Sequence, residues 1–291
     1  MAALQTQLEF AQLCTELGGL ARRDITQGIK LEKYKKMAKS MFKKDPVSGN
    51  TLLGLIACLE HDIASMHLHH GNAIQLGESC FSLMYYAISL EKSCLWGEAA
   101  RYALLALDHE PQDRKLLDAV IGVAPLTGRF SLLKRLLSQW QEAHAGTPHP
   151  NHGHFQMVSD ILSFNGLLEK DLKQVLAAVG EAFSETDAIL QQYSYDLVPQ
   201  KESPGFIHYR FILPDQLVAS YYEDLIAAKL GSLACHPRIF DAFSFSVENS
   251  AVYELYEYME KELVVESADT IRVPDPDKMK LIEELVAGVE I

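Results

Sequence analysis

Histidine is the residue type in this 291-residue chain that most invites chemistry, with eleven copies. His61, His67, His69 and His70 fall close together, and His67 and His70 have the i, i+3 spacing that sets two imidazoles on one helix face, as a metal ion requires. Glu60 and Asp62 would lie across such a helix and do not complete a site. The group is therefore read as a solvated helix end, where imidazole suits the negative end of the dipole. His144, His149, His152 and His154 share their stretch with Gly146, Pro148, Pro150 and Gly153, which reads as a flexible linker. The five cysteines (Cys14, Cys58, Cys80, Cys94, Cys235) are odd in number and widely spaced, with no C-x-x-C. They predict buried thiols in a reducing compartment, not a disulfide framework or a zinc site. The chain has no G-x-S-x-G, H-E-x-x-H, P-loop or G-x-G-x-x-G. Pro214-Asp215, Glu223, Asp224 and Lys229 have the residue types of a metal-dependent nuclease. Asp224 and Lys229 are five apart, however, and cannot occupy alternate positions of one strand. A helix cap at Asp215 and a solvated acidic face account for them. No catalytic residue, metal or cofactor is assigned, and no enzyme is expected.

Charge gives a different lead. The chain carries a net −13, yet residues 22–45 hold nine basic side chains against three acidic ones, a net of +6. Residues 181–291 hold 21 acidic and 8 basic side chains. An acidic chain makes a poor general nucleic-acid binder, because phosphate contacts need a broad positive surface. The asymmetry suits a local contact with an acidic partner. Lys30, Lys33, Lys36 and Lys44 are the candidate partner-binding residues, on a helix whose other side carries Leu31, Tyr34, Met37, Ala38 and Met41. Nucleic acid held through residues 22–45 is the alternative.

The elements that must position these residues divide at about residue 185. Up to that point the chain reads as helices. The first is expected to stop at Gly18-Gly19, and the basic helix at Asp45-Pro46. Asn50 is expected to cap a helix running to about His70, and another helix to span about 73–93. Leu83, Tyr86, Ala87 and Leu90 then precede Trp96-Gly97-Glu98-Ala99-Ala100, Ala103, Ala106-Leu107 and Pro111. Alanine at these spacings lets two helix axes approach, while Tyr86, Leu90 and Trp96 fill the flanking space. A shift of 34 residues maps Leu83 to Leu117, Trp96 to Phe130, Ala99 to Leu133 and Ala103 to Leu137. Gly128 falls at the inter-helix turn of that copy, whereas Trp140 and Ala145 depart from the pattern. A third hairpin is expected over 155–184, turning at Asn165-Gly166. Residues 83–111, and less closely those to about 145, resemble the tetratricopeptide repeat. The resemblance implies stacked antiparallel helix hairpins whose groove takes a peptide or helix from another protein.

From about residue 185 the pattern changes. Segments 190–199 and 206–213 are rich in strand formers and flank a polar Pro-Gly turn, which predicts a hairpin. A helix from Asp215 to Gly231 follows, then a strand over 239–247. A helix to about residue 263, a short strand at 270–273 and a last helix over 275–286 complete the expectation. The fold class is mainly α: a repeat-like helical domain over 1–184 and a small α+β domain over 185–291. No segment reaches the ~18 apolar residues of a membrane span, and residues 1–10 lack the features of a secretory signal. A cytoplasmic adaptor, chaperone or complex subunit is expected, with no membrane partner. The alternatives are a nucleic-acid-contacting subunit of a ribonucleoprotein or defence complex, and an enzyme with its site in the C-terminal α+β domain.

Overall fold

The computed structural model describes residues 2–23, 28–144, 146–186, 188–201, 203–214 and 217–249. Side chains of residues 2–5, 15, 18–23 and 28–30 are not among the described ones. The chain is mainly helical, with a three-stranded sheet late in the sequence. Among the described residues ten α-helices precede the sheet: α1 (Ala2–Arg23), α2 (Gly28–Lys44), α3 (Pro46–Leu59), α4 (Ile63–Leu76), α5 (Cys80–Lys92), α6 (Trp96–His109), α7 (Arg114–Val123), α8 (Phe130–Ala143), α9 (His152–Phe164) and α10 (Glu169–Ser184). A short 3-10 turn, Ala124–Thr127, joins α7 to α8. Successive helices pack on one another along most of this series.

Several boundaries differ from the sequence expectation, each for a local reason. Helix α1 runs through Gly18-Gly19, since glycine lowers helix propensity without forbidding the conformation. Asp45 both follows α2 and caps α3, accepting from the amides of Val47 and Ser48 at 3.1 and 3.2 Å, with Pro46 at the first helical position. Asn50 therefore lies inside α3, where its side-chain amide donates to Pro46 O at 3.0 Å. The helix expected to reach His70 breaks at Glu60–Asp62, where His61 takes φ 59° and Asp62 caps α4 through the Ser65 amide. The helix expected over 73–93 is likewise two, parted at 77–79, with Ser79 and Ser82 forming a reciprocal cap at the start of α5.

Pairing in the sheet follows the predicted hairpin. Strands β1 (Gln192–Val198) and β2 (Phe206–Leu213) are antiparallel, and β3 (Phe243–Asn249) pairs parallel with β2. A parallel partner needs a crossover, and α11 (Ala219–Gly231) provides it, followed by the single turn α12 (Ile239–Ala242). The strand expected over 239–247 thus begins only at Phe243. Asp215, and the elements expected beyond residue 249, lie outside the described residues.

Alternation along the strands gives the sheet two unlike faces. Ile207, Tyr209, Phe211, Phe243 and Val247 are buried against the helices. Trp96 stacks on Phe211 at 5.6 Å, the Tyr209 hydroxyl donates to Pro125 O at 3.0 Å, and the Tyr193 hydroxyl donates to Gly122 O. One hydrophobic cluster accordingly contains Leu83, Trp96, Leu117, Phe183, Tyr209, Phe211 and Val247. The change of secondary structure near residue 185 falls within a shared core. A second cluster, including Leu13, Leu17, Leu31, Met41, Leu52 and Ile56, ties α1 and α2 to α3.

Candidate functional site

The basic helix α2 contributes to an open groove of 940 Å³ with α3 and α4. Its lining comprises Lys39, Phe42 and Lys43 from α2, Asn50 and Leu53 from α3, and His69, Asn72, Gln75 and Leu76 from α4. Gly49 permits the geometry: a Cβ there would lie 2.3 Å from Phe42 Cα, so α3 meets the backbone of α2 directly. That approach buries Met41 and Ala38 and turns Phe42 outward, leaving it 42% exposed. Asn50 Oδ1 lies 3.2 Å from His69 Nδ1, which braces α3 against α4 beneath the groove. Burial pulls the His69 pKa below the ordinary value, partly offset by Asp62, so the imidazole is neutral at pH 7.

The four lysines singled out from the sequence are not the ones that line this groove. Lys33 and Lys36 are exposed outside it, Lys33 Nζ being 5.9 Å from the Tyr34 ring centroid. Lys44 faces Glu9 at 3.8 Å. Lys30 belongs to α2, but its side chain lies outside the described ones. Lys35 is bound by Glu60 at 2.7 Å and Glu32 at 3.1 Å, and the Glu60 contact raises its pKa first. Lys39 and Lys43 were legible as charges, but their shared exposure beside Phe42 depends on how α3 and α4 dock.

The histidines take separate roles. His70 is fully buried, with Nε2 2.9 Å from Ser89 Oγ and its ring stacked on Tyr86 at 4.9 Å. Burial, helped by His69 and His67, pushes its pKa down to about 3. His67 Nδ1 meets the Tyr86 hydroxyl at 2.5 Å. These residues tie α4 to α5, and the expectation of a solvated helix end fails because α4 packs along α3 and α5. Among the described residues no group of three or more His, Cys, Asp or Glu side chains is arranged to hold a metal. The histidine-rich stretch is not a free linker: His152 and His154 lie in the first turn of α9, and the part before it is anchored. His149 is buried, with Nε2 3.0 Å from Asp118 and its ring edge-on to Trp140, on which His144 also stacks.

A polar constellation that the sequence reading missed occupies the outer face of the sheet. Strand register places Ser194 and Asp196 on β1, His208 and Arg210 on β2, and Ser244, Ser246 and Glu248 on β3 together on that face. Their i, i+2 spacing was the available signal. Arg210 pairs with Asp196. Ser246 Oγ donates to Glu248 at 3.0 Å and lies 3.2 Å from His208 Nε2; Ser244 Oγ lies 2.8 Å from His208 Nδ1. A hydroxyl has one proton. With that of Ser246 given to Glu248, His208 must donate from Nε2, which leaves Nδ1 to accept from Ser244. Burial and then Arg210 lower the His208 pKa, against Asp196 and Glu248, which keeps the ring neutral at pH 7. Ser244 also lines a 490 Å³ pocket with Asn165, Gln200, Ser203 and Arg238.

No protein-family model, no curated protein and no solved structure matches the chain. No helix among the described residues is long and apolar enough to cross a membrane.

Proposed function

We propose that this chain is a non-catalytic binding module that takes a helical segment of another protein in the groove between α2, α3 and α4. The supporting observation is the groove itself. It joins exposed apolar side chains, Phe42 and Leu76 at 42% and 59% exposure, to a flank of lysines. Apolar ground with polar edges is the usual composition of a surface that receives an amphipathic helix. The tetratricopeptide-like reading of residues 83–145, which lie outside this groove, is proposed beside it: Ala87, Ala99, Ala103 and Ala106 are fully buried, as tightly crossing helices need. The test is capture of partners from the native host with wild-type chain and with Leu76→Asp. Loss of one wild-type partner in the variant supports the reading; an identical set of partners sinks it.

A second reading places chemistry in the sheet, on the strength of the Ser244–His208–Ser246–Glu248 chain. A hydroxyl donating to a neutral imidazole is the arrangement that activates a nucleophile. Labelling of Ser244 by a fluorophosphonate, lost in His208→Gln, would support it. An unlabelled Ser244 would leave the chain as a structural network.

A further inference from the structure

If α2, α3 and α4 take a helix, as proposed above, the charge around their groove decides which helix. Lys39 and Lys43 are four residues apart on α2, one helical turn or ~6 Å. Like charges at this spacing on a helix repel each other. Neither has an ion-pair partner among the described residues, although Lys35 and Lys44 of the same helix do. Among the described residues no aspartate or glutamate lines the groove, in a chain with 39 acidic and 26 basic side chains. The surface is thus a positive patch on an acidic molecule, and its field selects a negative partner. The charge is also one-sided. The α4 wall presents the amides of Asn72 and Gln75 and the neutral His69, so among the described residues the cationic flank belongs to α2.

The apolar residues discriminate between anionic partners. A nucleic-acid backbone would gain from the two lysines but would lay phosphates against Phe42, Leu53 and Leu76, where their desolvation is not repaid. A protein helix satisfies its own backbone and can offer apolar and charged side chains on adjacent stripes. We propose that the groove receives an acidic amphipathic helix of a partner protein. Its apolar stripe rests on Phe42, Leu53 and Leu76, and two carboxylates one turn apart face Lys39 and Lys43.

A displayed library of amphipathic helices about five turns long tests this on the full chain. The apolar stripe is fixed, and both flanks vary among Glu, Gln and Lys. The expected winners carry Glu at i and i+4 on one flank and bind about tenfold more tightly than their Gln counterparts at low salt, less so near 1 M. Lys39→Glu with Lys43→Glu should reverse the preference toward Lys peptides, whereas Lys33→Glu with Lys36→Glu should leave it in place. Circular dichroism establishes that each variant is folded. Winners with no preference for Glu, or an equal loss in the Lys33/Lys36 variant, overturn the acidic-helix proposal and leave the groove reading standing. Failure of every helix to bind better to wild type than to Leu76→Asp overturns the groove reading itself.

Discussion

Two groups shifted by desolvation, the buried His70 and the partly buried Glu91, should oppose each other in the pH dependence of stability, and removing either should expose the other. His70 has an unfolded-state pKa of 6.5 and a folded value of about 3. Its folded pKa is depressed, so the neutral ring's contribution is fully present above pH 6.5 and is lost as pH falls toward 3. Glu91, at the C-terminal end of α5, is shifted by burial the other way, from 4.5 to about 7, with Lys92 offsetting part of the effect. The folded state prefers its protonated form, so its contribution is present below pH 4.5 and is lost as pH rises toward 7. Between pH 4.5 and 6.5 the unfolded chain binds the His70 proton and the folded chain binds the Glu91 proton. Each site then gives a slope of ~1.4 kcal/mol per pH unit, with opposite signs. Over two units each amounts to at most ~3 kcal/mol, and together they nearly cancel. Urea unfolding at pH 4.5, 5.5 and 6.5 would measure this. Relative to wild type, Glu91→Gln should become steeply less stable toward pH 4.5, and His70→Gln should become less stable toward pH 6.5. The slope is the readout, so a uniform loss from imperfect packing of glutamine does not interfere. Three parallel profiles would refute the burial argument for both groups.

Three other outcomes follow from the packing. Ala99→Leu or Ala106→Leu should lower stability by ~1–3 kcal/mol, because both alanines are fully buried at helix contacts; an unchanged thermal midpoint in both would mean those crossings are not tight. Gly49→Ala should be destabilising by a similar ~1–3 kcal/mol and weaken any ligand of the groove, since its Cβ would meet the Phe42 backbone; wild-type stability would show that α2 can shift freely. Among the cysteines, Cys235 should react fastest with a thiol reagent in the native chain. Cys14, Cys58, Cys80 and Cys94 are buried, and burial raises each of their pKa values. They should react on unfolding; native modification of any of these four at the rate of Cys235 would contradict their burial.

Local features carried much of the fold in the sequence. Strand β2 is legible in the run from Phe206 to Leu213 because alternating bulky residues suit a pleated surface. The turn at Asn165-Gly166 is legible because Gly166 takes φ 68°, a conformation glycine adopts without strain. The alanine spacing over 87–106 foretold close packing there, and the lysines of α2 were visible as a cluster. The break at His61 was not visible: the apolar rhythm runs across it, and only the capping of α4 by Asp62 marks a new start. Interactions distant in sequence were decided by tertiary structure alone. Trp96 stacks on Phe211, and Tyr209 reaches Pro125, so the helices and the sheet share a core across the compositional change near residue 185. His70 became an internal strut, because α4 packs that side of the helix against Tyr86 and Ser89. The same docking separated Lys39 and Lys43 from Lys33, Lys36 and Lys44. Sequence fixes the sign and spacing of a charge along a helix, but which side of that helix becomes the wall of a groove depends on the neighbours that cover the rest.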